Sequence, residues 1–217
     1  DPMSAFGCVI AVNREFSEEM VDYMKEEKMF VEMVIAPSYS EGALKRLRTR
    51  KNLRILRVGD LKLDMSKTDI KKVAGGILIQ TKDMYNLVPD DLKTVTKRVP
   101  TDGQISDMLF ATNIVKHVVS NSVVIAKNMT AVGIGAGQMS RVDSVFIAGK
   151  KAGDRAKGAV LSSDAYFPFA DGLEQAVEAG VEAIIQPGGS IRDDEVIAKA
   201  DELGIAMVFS GRRYFKH

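Results

Sequence analysis

The aromatic loop at residues 166–169 and an arginine pair near the last residue carry the side chains best suited to ligand chemistry. The loop reads Tyr-Phe-Pro-Phe, which is too rich in rings for a solvent loop, and its proline prevents a regular central strand. Flat rings beside a rigid proline suit a planar heterocycle, although core packing explains them equally well. Arg212 and Arg213 follow an apolar run, and neighbouring side chains of an extended chain point to opposite sides. One guanidinium group can therefore face a cleft and pair with a phosphate or carboxylate.

Polar residues at the ends of predicted helices and strands are further candidates. Asn121 falls between an apolar helix and a strand, so its amide either caps the turn or points into a cleft. Asp164 and Asp171 lie on either side of the aromatic loop, and each could cap a helix, with Asp171 at the N-cap position. His117 lies one helical turn from Asn121 in an apolar stretch, which favours a structural histidine over a catalytic base.

Two glycine-rich turns each precede a predicted helix. The first, residues 133–141, lacks the third glycine of a dinucleotide-binding motif, because Gln138 or Ser140 occupies that position. We expect a loop that closes on a different ligand, with a tight strand-to-helix turn as the alternative. The second, residues 187–193, contains a Ser-x-x-Asp capping box whose aspartates already supply negative charge, so a structural role is favoured there.

The overall composition limits the classes of protein and of partner. The 217 residues include 46% hydrophobic and 27% charged side chains, which fits one large globular domain or two small ones. Thirty basic against 29 acidic residues give a net charge of +1, which argues against nucleic-acid and anionic-membrane partners. No apolar run approaches the roughly 20 residues of a membrane span, and a signal peptide is not recognisable, so we expect a cytoplasmic protein. A single cysteine, Cys8, and two histidines make a zinc site hard to assemble.

Apolar runs and helical patterns alternate along the chain, which predicts an α/β fold with a mostly buried mixed sheet. Strands are predicted at residues 8–12, 30–36, 53–58, 75–80, 123–126, 131–134, 183–185 and 205–209. Helices are predicted at residues 17–27, 40–50, 104–119, 140–152, 171–179 and 191–203. The polar segment 82–101 is predicted to be a linker between an N-terminal lobe, residues 1–81, and a C-terminal lobe, residues 102–217.

Several long motifs resemble one family. They are Gly75-Gly76-Ile77-Leu78-Ile79-Gln80, Val95-Thr96-Lys97-Arg98-Val99-Pro100-Thr101, Lys116-His117-Val118-Val119-Ser120-Asn121, the run 133–145 and nearly all of 162–217. The chain resembles the C-terminal part of the aminoimidazole carboxamide ribonucleotide (AICAR) transformylase domain of bifunctional purine-biosynthesis proteins, where an inosine monophosphate (IMP) cyclohydrolase domain usually precedes it. The resemblance implies cytidine-deaminase-like α/β units, with the first one ending at residue 81, and a homodimer. It also implies formyl transfer from 10-formyltetrahydrofolate to AICAR, with a possible potassium ion.

The resemblance further implies roles for individual residues. Asn121 matches the active-site asparagine that orients the reacting groups or stabilises the intermediate. The nucleotide contacts that it implies are Asp1, Tyr166, Arg213 and Phe215. The folate contacts that it implies are Arg141, Val142, Pro168, Phe169 and Asp171. Asp164 and His217 match positions near a monovalent-cation site.

Departures from the family pattern limit what the chain is expected to do alone. Cys8 replaces a common glycine, Tyr166 replaces phenylalanine and Tyr214 replaces histidine. The family's adjacent Lys-His pair, its main proton-transfer machinery, lies upstream of the position that matches Asp1. Because the chain also begins without Met, we expect a fragment that holds part of a formyltransferase site and turns over little by itself. The alternative is a non-catalytic nucleotide-binding or assembly module that needs the other half.

Overall fold

The computed structural model describes residues 4–60 and 68–217, which divide into two compact units, up to Met84 and from Tyr85 onward. The first unit contains a parallel three-stranded sheet in the order β1-β2-β3 and a separate antiparallel hairpin. Its elements are β1 Cys8–Ala11, α1 Glu18–Glu26, β2 Val31–Ala36, α2 Glu41–Leu47, β3 Arg54–Arg57, β4 Thr68–Val73 and β5 Gly76–Thr81. The parallel sheet encloses a small core that includes Phe16, Val34 and Leu47, all at most 1% exposed.

The second unit is built on a six-stranded mixed sheet in the order β6-β11-β10-β9-β7-β8. Its strands are β6 Lys93–Thr94, β7 Val123–Lys127, β8 Thr130–Gly135, β9 Ala159–Ser163, β10 Val181–Gln186 and β11 Ala206–Phe209. Its helices are α3 Asp102–Val115, α4 Arg141–Ala152, α5 Asp171–Glu178 and α6 Asp193–Glu202. Strands β9, β10 and β11 are parallel, whereas β7 is antiparallel to both β8 and β9. None of the helices in the described ranges is long and apolar enough to cross a membrane.

Both faces of this sheet are covered, which explains the continuous apolar strands. Along β7, Val123 and Ile125 pack on one face with α4, α5 and α6. Val124 and Ala126 pack on the opposite face with α3. Strands that are buried on both sides need no polar alternation, so they appear in the sequence as uninterrupted apolar runs.

The close packing of α4 on β8 depends on two glycines. Gly133 and Gly135 lie in the strand, and a Cβ atom at either position would collide with the carbonyl oxygen of Ala148 or Ser144 in α4. The expectation that this glycine run forms a loop closing on a ligand is therefore wrong for these two residues. Only Gly137, with φ of +65°, occupies the turn, where a left-handed conformation favours glycine.

The predicted α/β class and mixed sheet are confirmed, and the element bounds differ in a few informative places. Helix α3 ends at Val115 rather than at residue 119, which leaves residues 116–122 as a loop. Strands β4, β6 and β9 were not predicted. The segment 82–101, predicted to be a linker, contributes β6 to the sheet of the second unit. The domain bounds themselves stay a prediction.

We expect Gly135→Ala to lower the free energy of unfolding by about 1–3 kcal/mol, because α4 must move away from β8 to admit the methyl group. Gly103→Ala is the matched control. Gly103 is exposed in the first turn of α3, where an added Cβ would meet only Thr101 Oγ1, at 3.9 Å. That change should be neutral or stabilise by up to about 1 kcal/mol. Urea unfolding followed by circular dichroism measures both, and equal midpoints would contradict the packing argument.

Candidate functional site

The candidate site is organised around a buried ion pair between Arg141 and Asp164. Arg141 is the first residue of α4, and Asp164 follows the last residue of β9. Their side chains are only 8% and 0% exposed, and Arg141 Nη1 donates to Asp164 Oδ1. The same nitrogen donates to Ser163 Oγ at 2.8 Å. The charge of the guanidinium group is thus neutralised inside the protein, which is necessary for a buried cation.

Asn121 is held directly against this ion pair. Its Oδ1 accepts a hydrogen bond from Arg141 Nη2 at 3.0 Å, and its Nδ2 donates to the carbonyl oxygens of Gln138 at 2.9 Å and Met139 at 3.2 Å. Because a guanidinium group only donates, the oxygen of the amide must face Arg141. The side chain therefore bridges two turns with one defined orientation, and Asn121 itself remains half-buried.

Asp164 also ties the end of the chain to the site. Ser120 Oγ donates to Asp164 Oδ2, and the backbone N–H of Tyr214 donates to the Asp164 carbonyl at 2.8 Å. The backbone N–H of Ser120 donates to the Lys216 carbonyl at 2.9 Å, and Lys216 Nζ donates to the His117 carbonyl at 3.0 Å. The C-terminal segment is thus anchored beside Asn121.

The guanidinium groups of the adjacent residues Arg212 and Arg213 lie over two different tyrosine rings. Arg213 lies over Tyr166, with 4.9 Å from the guanidinium carbon to the ring centroid. Arg212 lies over Tyr85, at 4.0 Å. Tyr85 donates its hydroxyl hydrogen to Asp91, which raises the pKa of the tyrosine. Of these two arginines, only Arg213 therefore contacts the aromatic loop.

The four residues of the aromatic loop differ in how far they are exposed to solvent. Phe167 is 1% exposed and belongs to the core, whereas Tyr166 and Pro168 are half-buried and Phe169 is 51% exposed. Arg192 lies over the ring of Phe169, at 4.7 Å from its centroid. The outward-facing rings are therefore the members of the loop that a ligand can reach.

The remaining predicted site residues are placed less centrally. Val142 is half-buried in the first turn of α4. Asp171 is exposed and its carboxylate accepts from the Gly172 N–H at 2.7 Å. The prediction that Asp171 is an N-cap is wrong, because α5 begins at Asp171 and Ala170 precedes it as the cap. Phe215 is 53% exposed, with its ring centroid 5.8 Å from that of His217. Asp1 lies outside the described residues.

His117 follows α3 on an exposed part of the loop. Partial burial and the neighbouring Lys116 and Lys216 ammonium groups lower its pKa below the ordinary value of 6.5. Burial and the two ammonium groups therefore favour the neutral imidazole. Its backbone carbonyl accepts from Lys216 Nζ at 3.0 Å and its backbone N–H donates to the Ile114 carbonyl at 2.9 Å, and both bonds are compatible with a structural role.

Asp164, which is predicted together with His217 to lie near a monovalent cation, has both carboxylate oxygens engaged by protein groups. One carboxylate oxygen of Asp164 accepts from Arg141 and the other accepts from Ser120. A cation at this carboxylate would compete with a guanidinium group that already neutralises it. Among the described residues, no three His, Cys, Asp or Glu side chains cluster in a way that could hold a metal ion.

Sequence reasoning did not single out several residues that complete the network. Ser120 and Ser163 supply hydroxyl groups to Asp164 and Arg141, and Ser144 Oγ donates to the Asn121 carbonyl at 2.8 Å. Ser163 and Asp164 follow an apolar run of only three residues, with Ser162 between the run and the pair. A polar pair at the end of a short buried strand was the signal that could have identified them.

The fold and this network define an α/β protein with a candidate site at the strand ends of a mixed sheet. The model of the AICARFT/IMPCHase bienzyme family matches residues 1–151. The chain therefore belongs to the AICAR transformylase/IMP cyclohydrolase bienzyme family.

Similar proteins carry names that agree with this family. The chain is similar over its whole length to the bifunctional purine biosynthesis proteins PurH of Anoxybacillus flavithermus, at 52% identity, and Acetivibrio thermocellus, at 50%. It spans 42% of the length of each of these relatives. Among solved structures, Acinetobacter baumannii RibD, form 2, is 18% identical and matches 47% of this chain and 32% of that chain at a TM-score of 0.32. A TM-score this low supports no conclusion, so the cytidine-deaminase-like description stays a prediction.

We expect Asp164→Asn to lower the free energy of unfolding by about 3–5 kcal/mol, because it leaves the buried guanidinium group without a counter-charge. Glu182→Gln is the matched control. Glu182 pairs with Arg98 at 2.6 Å, but both side chains are more than 40% exposed. The control should change stability by less than about 1 kcal/mol. Urea unfolding of the two variants provides the comparison, and equal losses would contradict the assigned importance of the buried pair.

Proposed function

We propose that this chain carries part of a site that transfers a formyl group from 10-formyltetrahydrofolate to the 5-amino group of AICAR. Membership of the bienzyme family supports the reaction class. The single structural observation that carries the proposal is the hydrogen bond between Asn121 and the buried Arg141, which fixes an amide group at the edge of the sheet. The chain spans 42% of its relatives' length, and we assign to it only part of the site.

The chemistry requires a weak nucleophile to be held in place. The lone pair of the AICAR amine is delocalised into the imidazole and carboxamide, so attack on the formyl carbon needs proton removal and close positioning. Attack turns the formyl oxygen into an oxyanion. Its collapse breaks the bond to N10 of the folate, and N10 takes up a proton in place of the one that the amine loses. Both N–H groups of the Asn121 amide already donate to backbone carbonyls, so the remaining lone pair of its oxygen is the part that can accept a hydrogen bond from the AICAR amine and orient it.

Asn121 is suited to such a role because its partners fix it from both sides. Arg141 holds the amide oxygen, and the carbonyl groups of Gln138 and Met139 hold the amide nitrogen. We assign Arg141 a positioning role, since the described hydrogen bonds of its guanidinium group are made to other protein groups. Its predicted contact with folate stays a prediction.

The aromatic loop and Arg213 supply binding surface in this proposal. Arg213 is exposed and carries a permanent charge, which suits the phosphate of AICAR, and its guanidinium group is ordered by the ring of Tyr166. Pro168 and Phe169 present an apolar surface on which the pterin of the folate can stack. Asp171 can accept hydrogen bonds from the pterin, and Phe215 offers a ring beside the nucleotide.

A homodimer with shared active sites and a cytoplasmic location are further parts of the proposal, and both come from the family resemblance. Potassium at Asp164 and His217 also stays a prediction. We assign no step to it, because the carboxylate of Asp164 is occupied by Arg141 and Ser120.

Asn121→Ala should lower kcat for formyl transfer by about 10²–10³, as the loss of a preorganised polar group does in other active sites, with a small change in the KM for AICAR. Asn113→Ala, at an exposed position of α3, is the control and should retain the normal rate. Steady-state kinetics on the protein that carries this chain measure both, with thermal melting to confirm folding. Normal turnover by Asn121→Ala would refute the role. AICAR binding without formyl transfer by any polypeptide that contains the chain would favour the assembly alternative.

Arg213→Ala should weaken AICAR binding by about 10–100-fold, because it removes hydrogen bonds between a cation and an anionic ligand. Arg212→Ala is the adjacent control, since its guanidinium group lies over Tyr85 instead of the aromatic loop. Isothermal titration calorimetry with AICAR gives both dissociation constants. A larger loss in Arg212→Ala than in Arg213→Ala would reverse the assignment of the two arginines.

A further inference from the structure

Gln186 is a fully buried polar residue at the last position of β10. Its Oε1 accepts the backbone N–H of Phe167 at 2.7 Å, and its Nε2 lies 3.2 Å from the Sδ atom of Met207. The orientation of the amide is chemically determined, because a backbone N–H can be satisfied only by the amide oxygen. The nitrogen faces a thioether, which is a weak acceptor.

This position would otherwise suit an apolar side chain. The preceding residues of β10, Ala183, Ile184 and Ile185, are all buried. Burying an amide is costly unless its hydrogen bonds are made, and the bond to sulfur recovers little of that cost. The strong bond that Gln186 makes is the one to Phe167, in the middle of the aromatic loop. The side chain of this glutamine therefore stabilises the loop rather than the sheet.

Phe167 is the anchored residue of the loop. Its ring is 1% exposed and packs against the start of α5, where a Cβ on Gly172 would come within 2.6 Å of Phe167 Cδ1. Ser163 Oγ donates to the Ala165 carbonyl at 2.7 Å and holds the loop on its other side. Gln186 supplies the bond that fixes the backbone of Phe167 itself.

The position of this anchor determines where the neighbouring rings point. Tyr166 immediately precedes Phe167 and contacts Arg213, and Phe169 lies two residues after it and contacts Arg192. We propose that Gln186 is a positioning residue for ligand binding, acting through the Phe167 amide to hold the aromatic loop in the form that receives the pterin of the folate. The folate part of this inference rests on the proposed function, whereas the anchoring of the loop does not.

The test uses Gln186→Met, which keeps the volume of the side chain but removes the acceptor oxygen. Gln175→Met is the matched control, because Gln175 is a half-buried residue of α5 whose side-chain amide donates to Glu178 of the same helix at 3.3 Å. Hydrogen–deuterium exchange of the peptide 164–172 reports on the anchor without ligand. Calorimetry with tetrahydrofolate, on the protein that carries this chain, reports on binding.

In Gln186→Met we expect exchange in this peptide to accelerate and the dissociation constant for tetrahydrofolate to rise, each by about tenfold or more, as the loss of one buried hydrogen bond implies. Gln175→Met should stay within about threefold of the unmodified protein. If Gln186→Met does not fold by circular dichroism, Gln186→Asn gives the same test, because it shortens the reach by one methylene group.

Unchanged exchange in the variant that lacks the acceptor would overturn the anchoring role. Faster exchange with unchanged affinity would overturn its link to folate. If the unmodified protein itself does not bind tetrahydrofolate, the proposed function fails, while the exchange experiment still decides whether Gln186 holds the loop.

Discussion

The second unit depends on the buried ion pair between Arg141 and Asp164. A buried carboxylate and guanidinium group are tolerated only when hydrogen bonds satisfy their remaining atoms. Here the carboxylate accepts from Arg141 and Ser120, and the guanidinium group also reaches Ser163 and Asn121. These partners come from the start of α4, the end of β9 and the loop before β7. One electrostatic requirement therefore joins segments that are far apart in sequence and determines the orientation of the Asn121 amide.

The strand directions explain why these groups meet at one edge of the sheet. Strands β9, β10 and β11 are parallel, so their carboxyl ends bring Asp164, Gln186 and the segment with Arg213 to the same side. Strand β7 is antiparallel to both β8 and β9, so its amino end, after Asn121, lies on that side as well. The carboxyl end of β8 leads there to Arg141. The edge beyond the carboxyl ends of parallel strands is the usual place for ligand sites in α/β proteins.

The sequence predicted the fold class and the local candidates, because apolar runs and distinctive side chains are local signals. It could not show that Asn121 and Arg141, 20 positions apart, share a hydrogen bond. Strand β9 was missed because its three apolar residues precede two serines, which resemble a loop although both are buried. Gly133 and Gly135 were misinterpreted because their lack of a side chain is visible in the sequence, whereas the close approach of the α4 backbone that requires it is not.

The positive charges of the site fall into two groups with different consequences. The charge of Arg141 is matched by Asp164 and lies out of water, so it orients Asn121 without attracting a free anion. Arg213 is exposed, and its described partner is the ring of Tyr166, which leaves its positive charge unneutralised by that contact. A net charge of +1 for the whole chain conceals this division. The ring of Tyr166 restrains the guanidinium group of Arg213 without neutralising its charge. An anionic ligand therefore binds to a group that is already ordered, and less conformational entropy is lost on binding.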